Sequence, residues 1–180
     1  MSLSSASTAS GRRCRTAGSA RFSRCGTWRY LLARELREGR GTLNFIMLNP
    51  STADAVRDDP TIRRCIGFAR AWGYRRLVVT NIFALRATLP SALRGAADPV
   101  GPRNDRYILR AARDADRVVC AWGVHGALGN REAEVLALLR DLALENLGLT
   151  RGGYPRHPLY VAGLTVPSRY EKRAPQLAAA

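Results

Sequence analysis

The chain has 180 residues, 46% of them apolar and 24% charged, which suits one domain and is short for two. A chain of this length buries about 70% of the surface its unfolded form exposes, so a mostly disordered protein is excluded. The 29 basic residues outnumber the 14 acidic ones for a net charge of +15, and Lys172 is the only lysine among them. No apolar run approaches the ~18 residues of a membrane span, and no apolar segment near the start marks a secretory signal. The expected setting is the cytoplasm, associated with the nucleoid, because so positive a surface attracts polyanions and nucleic acid first among them. The alternative is an enzyme whose basic surface is incidental.

Residues 1–26 are rich in Ser, Ala, Gly and Thr, with Arg12, Arg13, Arg15, Arg21 and Arg24 and no acid. Such a composition supports no core and predicts a disordered basic arm. It fits an arm that tracks DNA, an organellar transit peptide, or an extension read from an upstream start codon. Residues 27–180 are expected to form a single α/β domain, monomeric.

Within that domain, residues 29–35 (RYLLARE) predict an edge strand. Residues 43–48 (LNFIML) are a short, continuous apolar run, as expected of a strand buried on both faces. Asp59 and Pro60 supply a helix cap and a first-turn proline. Ile62, Cys65, Ile66, Ala69 and Trp72 mark one face of that helix, and Gly73 closes it. Residues 77–80 (LVVT) are the next buried strand. A Pro/Gly-rich connection over 89–102 leads to Asn104, read as the cap of a helix carrying Ile108, Ala111 and Ala115. Residues 118–122 (VVCAW) are a third strand, and Leu128, Val135, Leu138, Leu139 and Leu142 restore helical spacing. A weak fourth strand falls near 145–149. This alternation predicts an α/β sandwich of three layers around a central, mostly parallel sheet of four to five strands.

The four cysteines, Cys14, Cys25, Cys65 and Cys120, include no C-x-x-C pair, and Cys65 and Cys120 fall in apolar patterns as core thiols. Neither a metal nor an organic cofactor is expected.

Ligands of open parallel sheets bind beyond the carboxyl ends of the strands. Asn49, Pro50, Ser51 and Thr52 follow the first core strand, with Asp54 and Asp58 just beyond. Asn81 follows the second, with Arg86 shortly after. Gly123 and His125 follow the third, and Arg156, His157 and Pro158 follow the fourth. Each has a plain reading too: Asn49 starts a turn, Asn81 caps a segment, His125 sits on a surface loop, His157 is structural, and Asp58 and Asp59 are helix-capping anions. Four polar strand ends at one edge point to a site.

Five blocks carry a resemblance over residues 22–160: FIMLNPSTAD (45–54), DDPTIRRCIGFAR (58–70), VVTNIFALRAT (78–88), DPVGPRND (98–105) and RHPLY (156–160). They resemble a bacterial and phage family known only as a domain of unknown function. The order of motifs is also similar to that of the uracil-DNA glycosylase superfamily. Members that excise mispaired bases carry G-x-N-P-G after the first core strand, where this chain has Asn49, Pro50 and Ser51. Thr80, Asn81, Arg86 and Pro90 resemble a second motif, and His157, Pro158 and Leu159 the closing His-Pro-Ser segment. Met47, Ser51 and Leu159 replace the two glycines and the serine of those patterns, and no aromatic is placed to stack on a flipped base.

That resemblance implies a monofunctional DNA glycosylase acting on uracil or another modified pyrimidine, and extends to modified phage DNA as antiviral defence. Asn49, held by Pro50, would orient the water, with Asp54 or Asp58 as its base, and His157 would donate to the departing base. Asn81 would read the base edge, alongside Pro50 and Ser51. Arg86, Arg151, Arg156, Arg169 and Lys172 would meet DNA phosphates, and Leu159 or Leu164 would wedge into the vacated stack. Two alternatives stay open: a non-catalytic nucleic-acid-binding module of the same fold, and a nucleoside or nucleotide N-glycosidase.

Overall fold

The computed structural model describes residues 17–171. Seven strands form one mixed sheet: β1 (Ala17–Phe22), β2 (Arg29–Glu35), β3 (Thr42–Met47), β4 (Arg76–Asn81), β5 (Arg117–Cys120), β6 (Leu144–Asn146) and β7 (Ser168–Arg169). The helices are α1 (Pro60–Ala71), α2 (Ala92–Gly95), α3 (Asn104–Arg113) and α4 (Arg131–Leu138). Across the sheet the order is β1-β2-β4-β3-β5-β6-β7. The inner four, β4, β3, β5 and β6, run parallel, as the apolar runs predict. Antiparallel strands extend this block on both sides, so the sheet is wider and more mixed than expected.

Alternation along the inner strands divides the core in two. Leu43, Phe45, Met47, Leu77, Val79 and Val119 face α1 and its Ile62, Cys65, Phe68 and Ala69. Ile46, Val118, Cys120 and Trp122 face the other way, onto Ile108 and Ala112 of α3 and Val135 of α4. Burying each such large side chain contributes about 1.5–3 kcal/mol, so the parallel block carries most of the folding drive. Asp59 caps α1 as the sequence predicts: its Oδ1 accepts from the Ile62 amide at 2.8 Å, with Pro60 in the first turn.

Several expectations are corrected. Residues 17–22 of the supposed arm form β1, and residues 1–16 lie outside the described residues. β2 is therefore not an edge, because β1 pairs along it from Ala17↔Glu35 to Phe22↔Arg29. Gly18 permits this close approach, since a Cβ there would stand 2.5 Å from both the Ala55 carbonyl and Arg34 Nη1. The fourth core strand covers 144–146 rather than 145–149. Asn104 does not cap α3 but lies buried in its first turn. Its amide donates to the Asn81 and Ile82 carbonyls at 2.9 and 3.0 Å, where the β4 ladder runs out.

Three arginines are buried to 3% exposure or less, an unusual place for this residue: Arg29, Arg34 and Arg131. Each donates to loop carbonyls. Arg34 holds the 54–58 loop through the Asp54 and Arg57 carbonyls at 2.6 and 3.2 Å, and its Nε meets Asp58 at 2.8 Å. Arg131 reaches the Ile82 carbonyl at 2.8 Å and pairs with Asp105 and Glu134. Asp58→Asn leaves the Arg34 charge buried without its carboxylate. Asp58 is itself partly exposed, so denaturant unfolding should show a loss of about 1–2 kcal/mol.

Candidate active site at the carboxyl edge of the parallel strands

The segments that leave the parallel strands converge on one cavity of about 630 Å³. The end of β3 supplies Asn49 and Ser51, and the start of α1 supplies Asp59. Trp122, Gly123 and His125 come from the end of β5. Arg151, Arg156, His157 and Tyr160 come from the segment after β6, and Arg29 from the start of β2. Gly123, at φ 72° and ψ −170°, takes a backbone shape reserved for glycine, and its amide donates to the Pro155 carbonyl at 2.9 Å. That bond ties the His157 segment to β5. Arg64 of α1 holds the same segment from the other side, donating to the Pro158 and Val161 carbonyls.

Asn49 is fixed at its nitrogen end. Both amide hydrogens are used, on the Ala87 carbonyl at 2.7 Å and the Pro50 carbonyl at 3.1 Å. Its Oδ1 has no partner among the described residues and serves as a rigid acceptor. Asp59 spends Oδ1 on its helix cap and also lines the cavity. His157 Nδ1 accepts from the Leu159 amide at 3.4 Å. A neutral imidazole in this position carries its proton on Nε2 and is a donor there. Burial lowers the His157 pKa below its ordinary value, with the Asp59 charge opposing that shift, so the ring is neutral at pH 7.

Other expected site residues lie elsewhere. Asp54 closes its own turn, accepting from the Val56 and Arg57 amides at 2.7 Å each, and these bonds lower its pKa. Asp58 is engaged with Arg34. Neither carboxylate lines the cavity; Asp59 takes that place. Asn81 is 1% exposed and pairs in register with Met47 inside the ladder, so its side chain does not line the cavity. Its Oδ1 instead accepts from Arg29 Nη2 at 3.4 Å. Pro50 is buried and does not line the cavity.

Arg151 and Arg156 stand at the cavity, the latter with Nε on the Leu149 carbonyl at 3.0 Å. Arg86 lines an open neighbouring groove of about 1000 Å³ that shares Ser51, Ala87 and Thr88 with the cavity, and its guanidinium lies 5.1 Å from the Phe22 ring centroid. Arg169 is on β7, paired with Glu171 at 3.3 Å and outside the lining. Lys172 lies outside the described residues. Leu159 and Leu164 are exposed and outside the cavity lining.

Arg29, Asp59, Trp122 and Tyr160 are among the lining residues that the sequence did not mark as site groups. β5 stops at Cys120 rather than at residue 122 as expected, so Trp122 lies two residues past the strand; its indole donates to the buried Glu132 at 3.0 Å, which also takes the Tyr170 hydroxyl at 2.7 Å. Tyr160 is 78% exposed, with its ring centroid 5.8 Å from that of His157. Tyr160 is thus the exposed aromatic ring at the cavity, whereas Trp122 is 1% exposed and packs edge-on against Tyr170. Among the described residues, no three of His, Cys, Asp and Glu stand close enough to share a metal ion. No described helix is long and apolar enough to cross a membrane.

A family model described as a protein of unknown function, DUF1643, matches residues 29–159. The chain belongs to the DUF1643 family. The match takes in the cavity lining from Arg29 through His157 and ends one residue before Tyr160. No curated protein and no solved structure matches the chain. The DUF1643 cavity also makes a pH prediction. The unfolded chain binds a proton at His157 more readily than the folded one, so stability falls as pH drops through the ordinary histidine value. Thermal melts between pH 7.5 and 5.5 should show a drop in wild type that is smaller in His157→Gln.

Proposed function

We propose that this DUF1643 protein is a monofunctional DNA glycosylase that hydrolyses the N-glycosidic bond of uracil or another modified pyrimidine flipped out of DNA. The observation that carries the reading is that a fixed amide acceptor, a carboxylate and a neutral imidazole line one nucleotide-sized cavity in a chain of net charge +15. The reading also takes the parallel block and its flanking helices as a uracil-DNA glycosylase-like sandwich. The volume falls in the range of about 300–1000 Å³ typical of small-ligand sites.

Cleavage leaves positive charge on the sugar and negative charge on the base. Asn49 Oδ1 accepts one hydrogen of the attacking water, and Asp59 takes its proton and faces the cationic sugar. His157 donates from Nε2 to an oxygen of the base as charge gathers there. Tyr160 offers a ring face at the mouth on which a base can stack. Arg151 and Arg156 meet phosphates beside the extruded nucleotide, and Arg86 does so along the groove. Leu159 or Leu164 fills the gap left in the duplex. The cavity leaves room beyond a bare pyrimidine, so a bulky base of modified phage DNA falls within the reading, and its removal would serve antiviral defence.

The test incubates the protein with oligonucleotides carrying uracil, hypoxanthine or modified cytosines, and reveals abasic sites with alkali. Wild type should cut at one of these bases. His157→Ala should slow single-turnover cleavage by about 10²–10³-fold, and Asp59→Asn or Asn49→Ala by about 10²–10⁴-fold. Tight binding of every duplex without abasic product would replace this reading with a binding module of the same fold. Base release from mononucleosides alone would replace it with a nucleoside N-glycosidase.

A further inference from the structure

Arg29 differs from the other two buried arginines. Arg34 and Arg131 meet carboxylates, whereas Arg29 has no ion pair within 4.0 Å among the described residues. Its Nη1 donates to the Ala53 carbonyl at 2.8 Å and its Nη2 to Asn81 Oδ1 at 3.4 Å, while Nε has no partner. The amide nitrogen of Asn81, whose Oδ1 accepts that second bond, is also buried and unpartnered. Burial pulls the Arg29 pKa down to about 10, with Asp59 opposing from beyond ion-pair distance, so the guanidinium is still charged at neutral pH. A stranded interior cation costs stability. This one lines the cavity and is 2% exposed.

We infer that Arg29 is the anion seat of the cavity, and that it receives the negative charge that appears on the pyrimidine as its bond to the sugar breaks. The identity of the ligand rests on the glycosylase reading. The C1′–N bond breaks and its electron pair stays on the base. The water oxygen bonds to C1′, its proton passes to Asp59, and the base takes up a proton on release. Arg29 meets the base while it is anionic, as a charge-assisted donor already stripped of water. Asn81 holds the guanidinium fork from behind. It is a positioning residue, and its place at the strand end serves Arg29 rather than the base edge.

Two measurements test this. The first compares single-turnover excision of uracil and 5-fluorouracil, the latter leaving more readily as an anion. Arg29→Gln should slow uracil excision by about 10²–10³-fold. It should slow 5-fluorouracil excision far less, widening the ratio between the two, and Arg29→Lys should narrow that ratio again. An unchanged ratio would make Arg29 merely structural and overturn the inference.

The second measurement needs no cleavage: calorimetric titration of free 5-fluorouracil into the full chain at pH 7 and pH 9. Wild type should bind about tenfold more tightly at the higher pH, where the base is ionised, a gain of roughly 1.4 kcal/mol. Arg29→Gln should show no gain. A wild type that gains affinity but excises nothing would sink the glycosylase reading and leave the anion seat standing. No gain in wild type overturns the seat whatever the cleavage result, and that arm stands if the variant does not fold.

Discussion

The parallel ladder stops short of the loops that build the cavity, and the carbonyls of those loops must find donors elsewhere. An unpaired buried carbonyl costs about as much as a lost hydrogen bond. This chain meets that requirement with side chains rather than further strand. Arg29 serves Ala53, Arg34 serves Asp54 and Arg57, Asn49 serves Ala87, Arg64 serves Pro158 and Val161, and Asn104 with Arg131 serves the end of β4. Each of these bonds fixes a loop and the site residue it carries. The shape of the cavity is therefore a consequence of how backbone polarity is satisfied at one edge of the sheet.

That origin explains why the lining is rigid before any ligand arrives. Asn49 has spent both hydrogens, Asp59 is pinned by its helix cap, and His157 sits on a short turn held from α1 and from β5. Groups held in this way need little reorganisation when charge develops, and preorganised dipoles are the main source of electrostatic catalysis. The same economy makes the loops sensitive to substitutions in residues that never touch the cavity, such as Arg34 and Asn104.

Much of this was legible in the amino-acid order. β3, β4 and β5 stand out because strands buried on both faces read as unbroken apolar runs, and α1 because its cap and its periodicity agree. Asn49 and His157 stand out because polar residues just past such runs fall at the ligand-binding edge. β1 was not legible: AGSARF has neither alternation nor bulk, and the ladder with β2 and a close pass over Arg34 hold it in place. Asp59 was hidden by its capping role, although one carboxylate has oxygens enough for both tasks. Arg29 was hidden by numbers, since a chain with so many arginines gives no sign of which one is interior. For Asn81 the strand-end rule failed by one residue: it is the last rung of the ladder, not the first residue beyond it.

The most direct test of the central claim is a crystal structure of the protein bound to a duplex containing 2′-fluoro-2′-deoxyuridine, a nucleotide whose glycosidic bond resists hydrolysis. The base should be turned out of the helix and seated among Asn49, Asp59 and His157, with Arg29 behind it. A duplex lying across another face, or one bound here with every base still stacked, would contradict it.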